Sequence, residues 1–241
     1  MSLTIFDRFH RRRFAENRAR TVTLLMVSYN YPNLLSACLS SLLATRDEQP
    51  FTLLIIDNDS VPETKRILAE YEAAHDLIRV IHLPENVNFV KALKIGLAEV
   101  KTDHCVTIQT DMTFPNRTWL RYMIERYEDG TLLFINQRHP DDGKWCYGFC
   151  FLIDTATYRT IGVNDRFTLA CEDWDFMNRL VASRGTRALV QSRGPFVWHR
   201  TCYIRQRKEG DVTASIEAND IATYASIWGT TKEPRHRMRS V

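Results

Sequence analysis

Residues 21–32, TVTLLMVSYNYP, pass in one step from an unbroken apolar, β-branched run to Asn30 and Pro32. Such a run reads as a strand buried on both faces, and the polar and proline residues that end it mark a loop. Directly downstream, LLSACLSSLLA (34–44) repeats leucine at helical spacing. A doubly buried strand followed at once by a helix is how a parallel sheet begins, because parallel strands need crossover connections and the crossover helices cover both faces.

Working outward, the alternation persists. FTLLIIDNDS (51–60) is a second buried strand closing on Asp57, Asn58 and Asp59, and VPETKRILAEYEAAH (61–75) opens a helix at Pro62. IRVIHL (78–83), FVKALKIGLAEV (89–100), HCVTIQTD (104–111) and NRTWLRYMIERY (116–127) continue as strand, helix, strand, helix. After Gly130 the rhythm changes. TLLFINQ (131–137) and the aromatic-rich WCYGFCFLI (145–153) are strands, and residues 154–161 form a short helix ahead of an acidic cluster. ALVQSRGPFVWH (188–199) supplies a closing strand or two, and TASIEANDIATYASIW (213–228) a C-terminal helix. The expected fold class is α/β, with a mostly parallel central sheet and helices on both faces.

With 241 residues, 44% of them hydrophobic and 25% charged, the composition is that of a soluble globular protein. The net charge of +3 gathers in two tails, RFHRRRFAENRAR (8–20) and RHRMRSV (235–241). These are either solvated ends or surfaces for phosphate-bearing partners, an anionic membrane or DNA. The six cysteines form no C-x-x-C pair and match no common zinc spacing, so they read as reduced thiols. No run is long enough to span a bilayer and no secretory signal pattern stands at the start. The expected location is the cytoplasm, with the inner membrane face as a peripheral alternative.

In a parallel sheet, ligands bind beyond the carboxyl ends of the strands. Ser28 to Asn30, Asp57 to Ser60 and Gln109 to Asp111 all fall at such ends, and so on one rim. Asp111 can coordinate a hard divalent cation there, or serve only its own turn. Lys91 and Lys94, on the third helix near Asn86 and Asn88, either meet phosphate or solvate a helix face. Neither a P-loop nor a G-x-G-x-x-G turn is present.

In this order, VSYN, IDNDS, ENVNFVKALKIG, IQTDMTF, CEDWDFMNRL and VWH resemble the family 2 glycosyltransferases of the GT-A fold, over roughly residues 21–200. The resemblance implies a Rossmann-like nucleotide-binding half, 21–115, fused to an acceptor half, 116–205. Residues 1–20 are then a basic N-terminal segment, and 206–241 a C-terminal helix and basic tail. It implies that Ser28, Tyr29, Asp57 and Asn58 hold the base and ribose. The family's metal-binding D-x-D reads Gln109-Thr110-Asp111 here, which leaves ligation to Asp111 and at most a ribose hydrogen bond to Gln109. His199 fits the histidine that completes the family's metal shell; its alternative is a hydrogen-bonded histidine beside Trp198. The family's E-D pair corresponds to Glu172 and Asp173. Two departures stand out: Asn88 replaces the first glycine of a paired N-x-G, and Lys94 the second asparagine, bringing charge with it.

The acids of LACEDWDFMNRL (169–180) separate on physical grounds. Asp175 and Arg179 have the i,i+4 spacing of a helical ion pair, so Asp175 is structural. Glu172 can cap or orient, and Asp173 remains as the general base. Trp174, with Trp145, Tyr147 and Gly148, offers an apolar platform for an acceptor sugar. The expected activity is inverting transfer of a sugar from a nucleoside-diphosphate sugar to a hydroxyl acceptor, with Mn or Mg as cofactor. The acceptor is a glycan, a lipid-linked sugar or a modified nucleic acid. The alternatives are a degenerate, non-catalytic GT-A binding module and a nucleotidyltransferase.

Overall fold

A computed structural model describes residues 16–17, 19–138, 140, 150–200, 210–232, 234, 236 and 238–241. The strands are β1 (Val22–Ser28), β2 (Thr52–Asp57), β3 (Ile78–His82), β4 (His104–Gln109), β5 (Met112–Thr113), β6 (Leu132–Arg138), β7 (Phe151–Asp154), β8 (Leu189–His199) and β9 (Arg239–Ser240). The helices are α1 (Pro32–Leu43), α2 (Pro62–Ala74), α3 (Phe89–Glu99), α4 (Trp119–Arg126), α5 (Thr155–Ile161), α6 (Glu172–Arg184) and α7 (Gly210–Trp228).

All strands join one sheet in the order β3-β2-β1-β4-β7-β6-β8-β5, with β9 paired to β8. The first four are parallel to one another, as expected for strands linked by crossover helices. β7 enters antiparallel between β4 and β6, so the second half is mixed.

Alternate residues of each parallel strand feed opposite layers. Leu24, Met26, Leu53, Ile55, Val106 and Ile108 pack with α1, α2 and α4 on one face. Leu25, Leu54, Ile56 and Cys105 pack with α3, α5 and α6 on the other. This is the reason the strands read as continuous apolar runs: both of their faces are covered.

The segment 188–199, expected as one strand or two, is a single strand, β8. It runs parallel to β6, with an irregularity in the pairing between Phe134 and Asn136 that accommodates Gly194 and Pro195. The far end of the basic tail is not loose: β9 adds to the sheet beside β8. Arg239 bonds Glu128 (Nη1 to Oε1 3.0 Å), while Arg20 from the other end of the chain grips the adjacent Asp129 (Nη2 to Oδ2 3.0 Å). Among the described residues, no helix is long and apolar enough to cross a membrane.

Candidate active site

The carboxyl ends of β1, β2 and β4 form one rim, and the loops that leave it are tied together. Asn30 and Tyr31 adopt left-handed backbone, φ 58° and 52°, to turn the chain into α1. The Asn30 amide donates to Ser60 Oγ (2.9 Å), and the Val61 amide donates back to Asn30 Oδ1 (2.9 Å), so each loop supports the other. Asp57 is fully buried; Oδ1 accepts from the Ser60 amide (3.1 Å) and Oδ2 lies 2.8 Å from His82 Nδ1. Asn58 donates to Asn86 Oδ1 (3.1 Å) and accepts from the Val87 amide (3.0 Å), joining the second rim loop to the segment before α3. Ser28 Oγ is buried with no hydrogen-bond partner among the described residues. Tyr29 is 41% exposed, a free aromatic face at the mouth.

α3 begins at Asn88, whose side chain accepts from the Lys91 amide (2.9 Å) and whose φ of 74° is a glycine-like conformation. Lys91 is exposed, and Lys94 Nζ is bound to Asp165 Oδ2 (2.6 Å), which holds the Asp165 carboxyl below its ordinary range.

At the tip of β4, Gln109 and Asp111 meet His199, which arrives on β8 opposite Met112 of β5. His199 Nε2 lies 2.8 Å from Gln109 Oε1 and 3.4 Å from Asp111 Oδ1. The imidazole is fully buried and Asp111 nearly so. One carboxylate and one imidazole at a polar rim suit a divalent cation such as Mn, with its taste for oxygen and nitrogen. Among the described residues no three His, Cys, Asp or Glu side chains cluster for a metal, so two protein donors are what this rim offers.

The acidic cluster occupies the first turn of α6. Cys171 takes left-handed backbone (φ 63°) to start the helix; burial and the carboxylates of Asp173, Glu172 and Asp220 push its thiol up to about 12, so it stays protonated. Asp175 is buried and structural, as its spacing predicts: Oδ2 accepts from Arg179 Nε (2.8 Å) and Asn164 Nδ2 (3.2 Å), and Oδ1 from Trp228 Nε1 of α7 (3.0 Å). Glu172 is buried and Asp173 half-buried. Both residues are among those lining a small cavity of about 30 Å³, whose wall is otherwise mostly apolar (Phe89, Leu93, Phe151 and Phe176) and also includes Gln109. Trp174 stacks edge-on against Tyr224 of α7, ring centroids 5.5 Å apart. Trp145, Tyr147 and Gly148 lie outside the described residues.

Sequence reasoning missed Asp220, which is fully buried on α7 and accepts the amides of Thr168, Leu169 and Ala170 directly before the acidic turn. Its only signal was a charge inside an otherwise apolar helical stretch.

The fold is that of the GT-A glycosyltransferases. A mannosyltransferase from Pyrobaculum calidifontis, PcManGT, solved with GDP-Man and Mn2+, superposes with a TM-score of 0.67 and 13% identity, covering 94% of this chain and 72% of that one. S. aureus TarS, residues 1–349, gives a TM-score of 0.57 at 15% identity, covering 67% of this chain and 55% of that one. In sequence, hyaluronan synthase of Pasteurella multocida is 27% identical over 118 residues, 48% of this chain and only 12% of that protein. The family model described as "Glycosyl transferase family 2" matches residues 23–148, more than half of the chain. The chain belongs to glycosyltransferase family 2.

Proposed function

We propose that this protein is an inverting transferase that moves a sugar from a nucleoside-diphosphate sugar to a hydroxyl acceptor, with Asp173 as the general base. The observation that carries the reading is a convergence: the tip of β4 and the first turn of α6, distant in sequence, contribute Gln109, Glu172 and Asp173 to the lining of one small cavity.

In this reading the nucleotide sits on the β1–β2 rim, with Asp57 and Asn58 fixed by their own hydrogen bonds and Ser28 buried at the end of β1. Tyr29 supplies an aromatic face for the base, and Lys91 and Lys94 bring positive charge to the diphosphate side. Asp111 and His199 would hold a divalent cation, which would supply charge that stabilises the departing diphosphate. For His199 to hold it, Nε2 must release Gln109, which then becomes free to bond a ribose hydroxyl. Trp174 borders the acceptor site. Asp173 takes the proton of the acceptor hydroxyl as it attacks the anomeric carbon from the face opposite the diphosphate, which inverts that carbon. Glu172, buried beside it, orients the first turn.

The test pairs two variants. Asp173→Asn retains calorimetric affinity for UDP or GDP with Mn while turnover falls by about two to four powers of ten; parent-like turnover rejects the assignment. Asp111→Ala gives the reverse pattern in the binding experiment, losing the Mn-dependent part of nucleotide affinity, and an unchanged Mn dependence rejects the ligand role. The Gln109–His199 hydrogen bond favours one alternative, a domain that binds nucleotide sugars without turning them over. Hydrolysis of a nucleotide sugar by the parent, however slow, excludes it.

A further inference from the structure

The carboxylate of Asp220 is fully buried, and among the described residues no cation is bonded to it. Its partners are three consecutive backbone N–H groups: Oδ1 accepts from Thr168 (3.0 Å), and Oδ2 from Thr168 (3.1 Å), Leu169 (2.8 Å) and Ala170 (2.9 Å). A buried carboxylate satisfied by several amides is a strong local constraint, because releasing any one of them leaves a charged acceptor underbonded. The next residue, Cys171, has left-handed backbone, a conformation unfavourable for a side chain with Cβ. Such a residue persists where its surroundings over-determine it. After Cys171 come Glu172 and Asp173.

The constraint reaches in two directions. The Thr168 carbonyl accepts the Val90 amide in the first turn of α3 (3.3 Å), so the segment gripped by Asp220 also touches the helix of the nucleotide-binding half. Around it, Val90, Phe167, Cys171 and Tyr224 form a separate buried cluster with Trp174 and Trp228 packed against it.

We propose that Asp220 is the positioning residue of the acidic turn: by fixing residues 168–170 it sets the strained backbone at Cys171 and thereby the direction in which Asp173 faces the pocket. α7 is on this account part of the catalytic unit. The inference rests on Asp173 being the base.

The experiment is a double-mutant cycle on the full chain, with turnover expressed per UDP- or GDP-binding site titrated with Mn, so that loss of folded protein does not enter. Asp220→Asn, which keeps the shape but cannot accept all three amides, lowers kcat on the order of 10²-fold, the scale of a small misplacement of a reacting group, while KM for the donor moves by less than about threefold. In the Asp173→Asn background the same change costs less than about twofold, because both act through one group. An equal loss in both backgrounds, or parent-like kcat for Asp220→Asn, overturns the proposal. Amide hydrogen exchange gives a readout independent of activity: residues 168–170 exchange at least about tenfold faster in Asp220→Asn while β1, β2 and β4 do not. Unchanged exchange there removes the positioning role whatever Asp173 does, whereas parent-like turnover of Asp173→Asn alone removes the base.

Discussion

Two aspartates separated by one tryptophan have opposite surroundings. Asp175 is fully enclosed and spends both oxygens on Arg179, Asn164 and Trp228, while Asp173 stands half-buried at the pocket wall. Removing the charge of Asp175 leaves Arg179 without its buried partner, although the guanidinium keeps the carbonyls of Ile161 and Gly162. Asp175→Asn is therefore expected to lower stability by roughly 2–4 kcal/mol, read by urea denaturation, with nucleotide affinity unchanged below the transition. A stability loss under about 0.5 kcal/mol counts against this division of labour. The i,i+4 spacing made the Asp175–Arg179 pair legible in the sequence. Asp220 was not legible, because a carboxylate that binds backbone amides of a distant loop leaves no spacing to detect.

α3 is the element where the proposed donor-side chemistry and the packing coincide. Its N-terminus is capped by Asn88 in a glycine-like conformation, and its middle approaches the sheet at Gly96, where an added Cβ would lie 2.5 Å from Leu25 Cδ1 and 2.9 Å from Ile56 Cγ1. Both neighbours are buried, so neither moves without disturbing the core. Gly96→Ala is expected to cost about 1–3 kcal/mol despite the better helix propensity of alanine, and a melting temperature at or above the parent's rejects the close contact. Helices and parallel strands were readable because β1, β2 and β4 are covered on both faces and each helix between them on one. The order of the second half was not, since an antiparallel strand inserted between β4 and β6 leaves the same apolar run in the sequence as a parallel one. β8 carries Gly194 and Pro195 without breaking, because its bond pattern shifts there against β6.

Across the whole molecule, the two ends of the sheet have different duties. The carboxyl rim holds the candidate site, and the opposite end holds a network of buried polar groups around His104, the first residue of β4. Burial, reinforced by the nearby Arg20 guanidinium, pushes the His104 imidazole down to about 4 from 6.5, so the folded protein keeps it neutral. A histidine depressed in the folded state contributes stability above pH 6.5, and that contribution is lost as the pH falls from 6.5 toward 4. The protein should be about 2 kcal/mol less stable at pH 5 than at pH 7.5 from this group, a fall in melting temperature of roughly 4–8 °C. His104→Gln lacks that component; an identical pH dependence in the variant refutes it. None of this touches the rim, so acid lability and activity are separable properties of one fold.

The mutual clasp of Asn30 and Ser60 has a bearing on speed. On the proposed reading of this rim as the nucleotide's seat, two loops that already brace one another shape it in advance, and little of the attraction is spent on ordering it. Capture of the donor then depends mainly on how often a correctly oriented molecule reaches the opening, rather than on the protein rearranging to receive it.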